Sequence, residues 1–168
     1  MKPRHFIKDL FFTNRFFFCW GSLALVFIAT FFLPWMMIIA KGMLAFFAIL
    51  TLIDFAILFL TSHQIIASRK VNDLLSNAED NIVKLSIQSN YKIPISASII
   101  DELPFQFQKR DFLISKKLLP QSSIECQYLI RPFQRGEYQF GDIHIYSATL
   151  LNFIQRRFTA LEEKTVKV

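Results

Sequence analysis

Only two cysteines, four glycines and three histidines occur among the 168 residues, and charged residues make up just 19%. Each shortage excludes something. Cys19 lies in an apolar run and Cys126 in an alternating one, so neither a disulfide framework nor a metal knuckle is expected. So low a cysteine content suits a reducing compartment. His5, His63 and His144 lie far apart and have no carboxylate or cysteine at ligand spacing, so no metal and no cofactor is expected. A phosphate cradle is absent, and Ser122-Ser123 lacks a nucleophile elbow or a paired base, so the chain reads as no enzyme. Soluble domains carry about 25% charged residues. Here the charge is scarcer and 53% of residues are hydrophobic, which excludes a disordered chain. The net charge of +6 is spread along the sequence. It forms no clustered basic face, so nucleic acid is not an expected partner.

The apolar excess is uneven. Thirteen of the 20 phenylalanines fall in residues 1–60. No charge occurs from Phe16 to Ala40, and Asp54 is the only one from Met43 to Leu60. A spanning helix needs about 20 apolar residues. Two fit, near 14–32 and 36–60, separated at Leu33-Pro34-Trp35 because proline disfavours helix in the residue before it. The first run is too long for a signal-peptide core and no cleavage site follows it. Residues 1–13 form a basic N-terminus with Lys2, Arg4 and Lys8; Arg15 follows, and Arg69 and Lys70 lie beyond the second helix. The positive-inside rule then predicts a multi-pass protein of a bacterial inner membrane with both termini cytoplasmic. Asp54 is the expensive residue, since a carboxylate at mid-helix depth costs about 2.5–3.5 kcal/mol. In an antiparallel hairpin it lies level with Ser22, with Gly21 allowing close approach, and Thr51 sits one turn away on the same face. The expected role is an intramembrane polar contact of Asp54 with Ser22 or Thr51. The alternative is a small transport or channel component using Asp54.

From about residue 69 the pattern alternates with period two. Val83, Leu85 and Ile87 form one inward set; Ile93, Ile95, Ala97 and Ile99 a second; Ile124, Cys126, Tyr128 and Ile130 a third. Tyr138 and Phe140 have one parity, Ile143 and Ile145 the other, with Gly141-Asp142 marking a bulge or corner between them. Residues 163–168 read as a last strand, and 150–158 as a loop or one helical turn. The expected fold class is α+β: a two-helix transmembrane hairpin over 14–62, then an all-β antiparallel immunoglobulin-like sandwich over 69–168.

Two stretches carry a family resemblance. Ser98-Ile99-Ile100-Asp101-Glu102-Leu103-Pro104-Phe105 resembles the "v-x-D-x-L-P" strand end of the domain-of-unknown-function-58 family. Arg135-Gly136-Glu137-Tyr138-Gln139-Phe140-Gly141-Asp142-Ile143 resembles its "R-G-x-Y-x-[LF]-G-x-[IV]" segment. The resemblance implies a bacterial membrane protein working with a MoxR-type AAA+ ATPase as a chaperone-like or assembly factor without catalysis of its own. It also implies a von Willebrand factor A-like domain after the sandwich. No Asp-x-Ser-x-Ser occurs here and the sequence stops at Val168. The expectation is therefore a split or truncated relative, with the A-like domain supplied by another chain.

The motif residues have ordinary expected roles beside any partner contact. Asp101 caps a turn before Leu103-Pro104. Arg135-Gly136 turns the chain, with glycine supplying the backbone freedom. Tyr138 bonds its hydroxyl to backbone. Phe105 and Phe107 share one strand face with Leu103. His144 is a solvated strand residue. Arg156-Arg157 and Lys116-Lys117 form solvated faces able to touch anionic lipid.

Overall fold

The computed structural model describes residues 8–60, 64–108 and 112–168. Lys2, Arg4, His5 and His63 lie outside the described residues. Two compact units form: Met1–Ser62 with Ala148–Arg156, and His63–Ser147 with Arg157–Val168.

The first unit is built on two helices. A short strand, β1 (Leu10–Phe12), leads into α1 (Asn14–Ala29). Thr13 is the N-cap of α1, accepting from the Phe16 amide at 3.4 Å. Leu33, at φ −129°, is held out of the helical region by Pro34, which itself opens a 3-10 turn. That turn feeds α2 (Met37–Phe55), whose last residues pass into a π-helical turn, Ala56–Leu60. The helices pack on each other, burying Leu23 and Ala40.

Of the two expected spans, the structure retains one. Among the described residues, Pro34–Leu60, with 27 residues, is the one helix long and apolar enough to cross a membrane. The 16 residues of α1 reach about 24 Å at 1.5 Å each. A bilayer core of about 30 Å is wider than that. The first helix stops at Ala29, short of the expected end at residue 32, because residues 30–32 turn ahead of Leu33-Pro34. The multi-pass inner-membrane placement with both termini cytoplasmic is corrected accordingly.

The second unit is an immunoglobulin-like β-sandwich, so the chain as a whole is α+β with one long apolar helix. Its strands are β2 (Ile65–Lys70), β3 (Asn81–Ser89), β4 (Ile95–Asp101), β5 (Leu113–Leu118), β6 (Ser123–Ile130), β7 (Glu137–Phe140), β8 (Ile143–Ala148) and β10 (Lys164–Lys167), together with the second half of β9 (Ile154–Ala160), whose residues up to Arg156 belong to the first unit. One sheet orders β2-β3-β6, another runs β9-β8-β4-β5, and β10 pairs with β7. After β2 the chain turns alongside β10 in parallel, with the Leu75 amide on the Lys167 carbonyl at 2.8 Å. Gly141-Asp142 bends β7 into β8.

Alternation sets the register. Val83, Leu85 and Ile87 face inward opposite Tyr128, Cys126 and Ile124, while Lys84, Ser86 and Gln88 face water. A one-residue slip would reverse both faces. Fully burying each such aliphatic chain contributes about 1.5–3 kcal/mol. A second cluster, around Val71, Val83, Ile130, Phe140 and Val166, packs Leu103 and Phe107 against its edge.

Three strands depart from the sequence expectation. The sandwich begins at Ile65, ahead of residue 69. Leu113–Leu118, rich in lysine, forms β5. The span expected as loop or helical turn contains β9.

Candidate functional site

Asp54 is the focus of the first unit. It is completely buried near the end of α2. Neither expected partner touches it. The Ser22 hydroxyl donates to the Cys19 carbonyl at 2.8 Å, and the Thr51 hydroxyl to the Phe47 carbonyl at 2.8 Å. Both close on their own helices, the bond that short hydroxyl side chains make within one turn. Among the described residues, nothing approaches the position of a Gly21 Cβ within 4 Å, so that glycine marks no close helix contact there.

The carboxylate instead holds the segment between β8 and β9. Oδ1 accepts from the Thr149 hydroxyl. Oδ2 accepts from the Phe153 and Ile154 amides, each at 2.9 Å. The same segment meets the start of α1: the Thr13 amide donates to the Phe153 carbonyl at 3.1 Å, and the Thr13 hydroxyl to the Asn152 carbonyl. Asp54 therefore lies level with Thr13, about two and a half turns before the Ser22 level that counting along an ideal hairpin gives. Arg156 completes the attachment, donating to the Leu58 carbonyl and placing its guanidinium 5.2 Å from the Phe59 ring centroid. It is a helix-end contact, not a solvated residue. The chemistry is that of a clamp: two amides and a hydroxyl converge on one acceptor.

In the second unit, Asp101 is buried and ion-paired with Arg69, with both side chains almost fully enclosed. This replaces the expected turn cap. Arg69 Nε donates to Asp101 Oδ2 at 3.2 Å; its terminal nitrogens reach Asp101 Oδ1, the Glu162 carbonyl at 3.0 Å and the Gly141 carbonyl at 2.9 Å. The guanidinium also lies 4.9 Å from the Phe140 centroid. The Tyr128 hydroxyl donates to Asp101 Oδ2 at 2.6 Å. One arginine thus joins β2, the end of β4, the β7–β8 bend and the β9–β10 connection. Its planar fork meets a carboxylate and two carbonyls at once, which a lysine cannot do.

Burial, and next the neighbouring Asp101 charge, push the Tyr128 phenol far above the ordinary tyrosine range. The phenol must stay protonated to donate. Its contribution is fully present below the unfolded value of about 10 and falls as pH rises toward the folded value. Above about pH 10, unfolding should show a stability loss that approaches about 1.4 kcal/mol per pH unit from this group. Denaturant titrations of the wild type and Tyr128→Phe should differ by that slope; identical slopes would remove Tyr128 from the network.

The remaining motif residues surround this network. Pro104 is buried and precedes a 3-10 turn, Phe105–Phe107, so Phe105 and Phe107 do not share a strand face with Leu103. Gly136 has φ 148°, open to glycine, and its backbone pairs with Val168 at 3.0 Å. The hydroxyl of Tyr138 donates to the Gln134 carbonyl at 2.8 Å. Gly141 lies against Glu102, where an added Cβ would stand 2.9 Å from the Glu102 Cβ. His144 is half-buried, its ring nitrogens 2.8 Å from Glu102 and 3.1 Å from the Thr159 hydroxyl.

No family model and no curated protein matches the chain. Among solved structures, a CARDB domain from Pyrococcus furiosus, crystallised with di-metal ions, is 13% identical with a TM-score of 0.45, covering 63% of this chain and 88% of that one. PapD-like domain 7 of human CEP192 is 11% identical with a TM-score of 0.41, covering 64% of this chain and 84% of that one. A β-glucosidase 3B from Thermotoga neapolitana is 17% identical with a TM-score of 0.28, covering 64% of this chain and 17% of that one.

Proposed function

We propose that the chain is a lipid-anchored, non-enzymatic scaffold whose β-sandwich presents binding surface to a protein partner. The observation that carries the reading is the helical unit's exposed apolar surface. Phe18 is 79% exposed, Phe31 83% and Ile38 81%. Soluble monomers rarely leave contiguous apolar surface of this extent in water, and a bilayer is the solvent it suits. Asp54 fits the same reading. Its oxygens are taken by three donors from one chain segment, so it serves attachment, and the transport reading gains no observation in its favour.

The partner class follows from the motif resemblance over residues 98–105 and 135–143. A MoxR-type AAA+ ATPase is the partner we propose. In-cell crosslinking followed by purification of the tagged chain tests this. The expected outcome is recovery of such an ATPase at stoichiometric yield. Crosslinked material without one contradicts the partner assignment and leaves the lipid anchor standing.

A further inference from the structure

Two adjoining clefts open on the sandwich, of about 550 and 520 Å³, and share Phe105 and Gln106 along their common wall. The first is apolar at its rims: Phe105 is 85% exposed and Phe133 74%. Its floor is firm, because Phe107 packs on Tyr138 with ring centroids 5.2 Å apart. The second cleft is lined by Glu102, Glu137 and Glu163. His144 faces Glu102, and Lys167 reaches Glu137 only at 3.6 Å with both side chains largely exposed, so the cleft keeps a negative balance.

Gln106 stands between the two. Its Nε2 donates to the Glu137 carbonyl at 2.9 Å, which fixes the amide's orientation. Its Oε1 is buried and has no partner among the described residues. A buried acceptor without a donor is costly, and an N–H brought into the cleft by a ligand would relieve that cost.

We infer that this double cleft is a docking groove for an extended segment of a partner protein that carries a lysine or arginine next to proline, aliphatic or aromatic residues. The apolar side chain lies between Phe105 and Phe133. The cationic head enters the acidic cleft, and a donor from the segment meets Gln106. Charge complementarity selects a cationic segment over an acidic or purely apolar one. Exposed aromatic rings on a rigid floor supply contact area at little entropic cost. The inference goes beyond the anchor-and-scaffold reading and holds whichever protein is the partner.

A library of displayed random peptides, selected against the full chain in detergent micelles and counter-selected on empty micelles, tests it. Enriched peptides should place a basic residue within a few positions of a proline, leucine or aromatic. Phe105→Ser and Phe133→Ser should each weaken their binding by about tenfold or more. Glu163→Lys should weaken it severalfold, and added salt should do the same. Both phenylalanines are exposed, so the unfolding midpoints of the variants should match the wild type. Enrichment of peptides without a basic residue, binding indifferent to these substitutions, or no enrichment over empty micelles would each overturn the groove.

Discussion

Replacing Arg69 by alanine is expected to destabilise the β-sandwich by about 3–5 kcal/mol, the range for breaking one partner out of a buried ion pair. The loss is large because Arg69 serves four elements at once. Without it, Asp101 keeps, among the described residues, the Tyr128 hydroxyl as its charge-stabilising partner, and the Gly141 and Glu162 carbonyls lose the Arg69 donor. Whole domains are stable by about 5–15 kcal/mol, so this one change removes a large share. Arg69→Lys should fall between, restoring the charge but not the fork. A paired Arg69→Met, Asp101→Leu variant should recover much of the loss, because buried ion pairs are frequently replaceable by apolar pairs of similar volume. Denaturant unfolding in micelles, followed by the β-sheet band in circular dichroism, reads all three. A loss below about 1 kcal/mol for Arg69→Ala would place the pair in solvent.

Asp54→Leu is expected to release the segment between β8 and β9. Two amides and one hydroxyl lose their acceptor, and each buried unsatisfied group costs about 1–3 kcal/mol. Leucine is also more welcome than a carboxylate in lipid, so the variant should insert at least as well while its clamp fails. The two effects separate by readout. Hydrogen exchange at the Phe153 and Ile154 amides should accelerate by about 100-fold or more, as a loss near 3 kcal/mol implies. Protection in β3 and β4 should be unchanged. Asp54→Asn should give an intermediate result, since its carbonyl still accepts but its amide meets donors. Unchanged protection at both amides would show that the carboxylate does not hold the segment.

Much of this architecture is legible in the sequence, for identifiable reasons. The alternation of Val83, Leu85 and Ile87 with Lys84, Ser86 and Gln88 marks a strand with one buried face, and β3 has that pattern. Pro34 separates the helices because its effect on Leu33 is local. Gly141-Asp142 marks the β7–β8 bend for the same reason. What escaped was non-local. Arg69 reads as a charge flanking a span, and only the three-dimensional fold brings it to Asp101, thirty-two positions away. Asp54 advertises its own cost, but its partners lie about a hundred residues further on. A search among neighbouring helix positions could not reach them. The edge strand β5 reads Leu-Ile-Ser-Lys-Lys-Leu, and lysines that protect an edge also mask its period. In β9, Gln155, Arg156 and Arg157 interrupt the alternation because Arg156 reaches the helix end instead of solvent.

The apolar helical unit is the proposed lipid anchor of the sandwich. Flotation of the full chain with phospholipid vesicles after an alkaline carbonate wash tests it most directly. The chain should stay with the vesicles through the wash, and Ile38→Lys with Ile49→Lys on the exposed face of α2 should release it. Quantitative release of the wild type by carbonate, with the protein remaining soluble and monomeric in water, would contradict the claim.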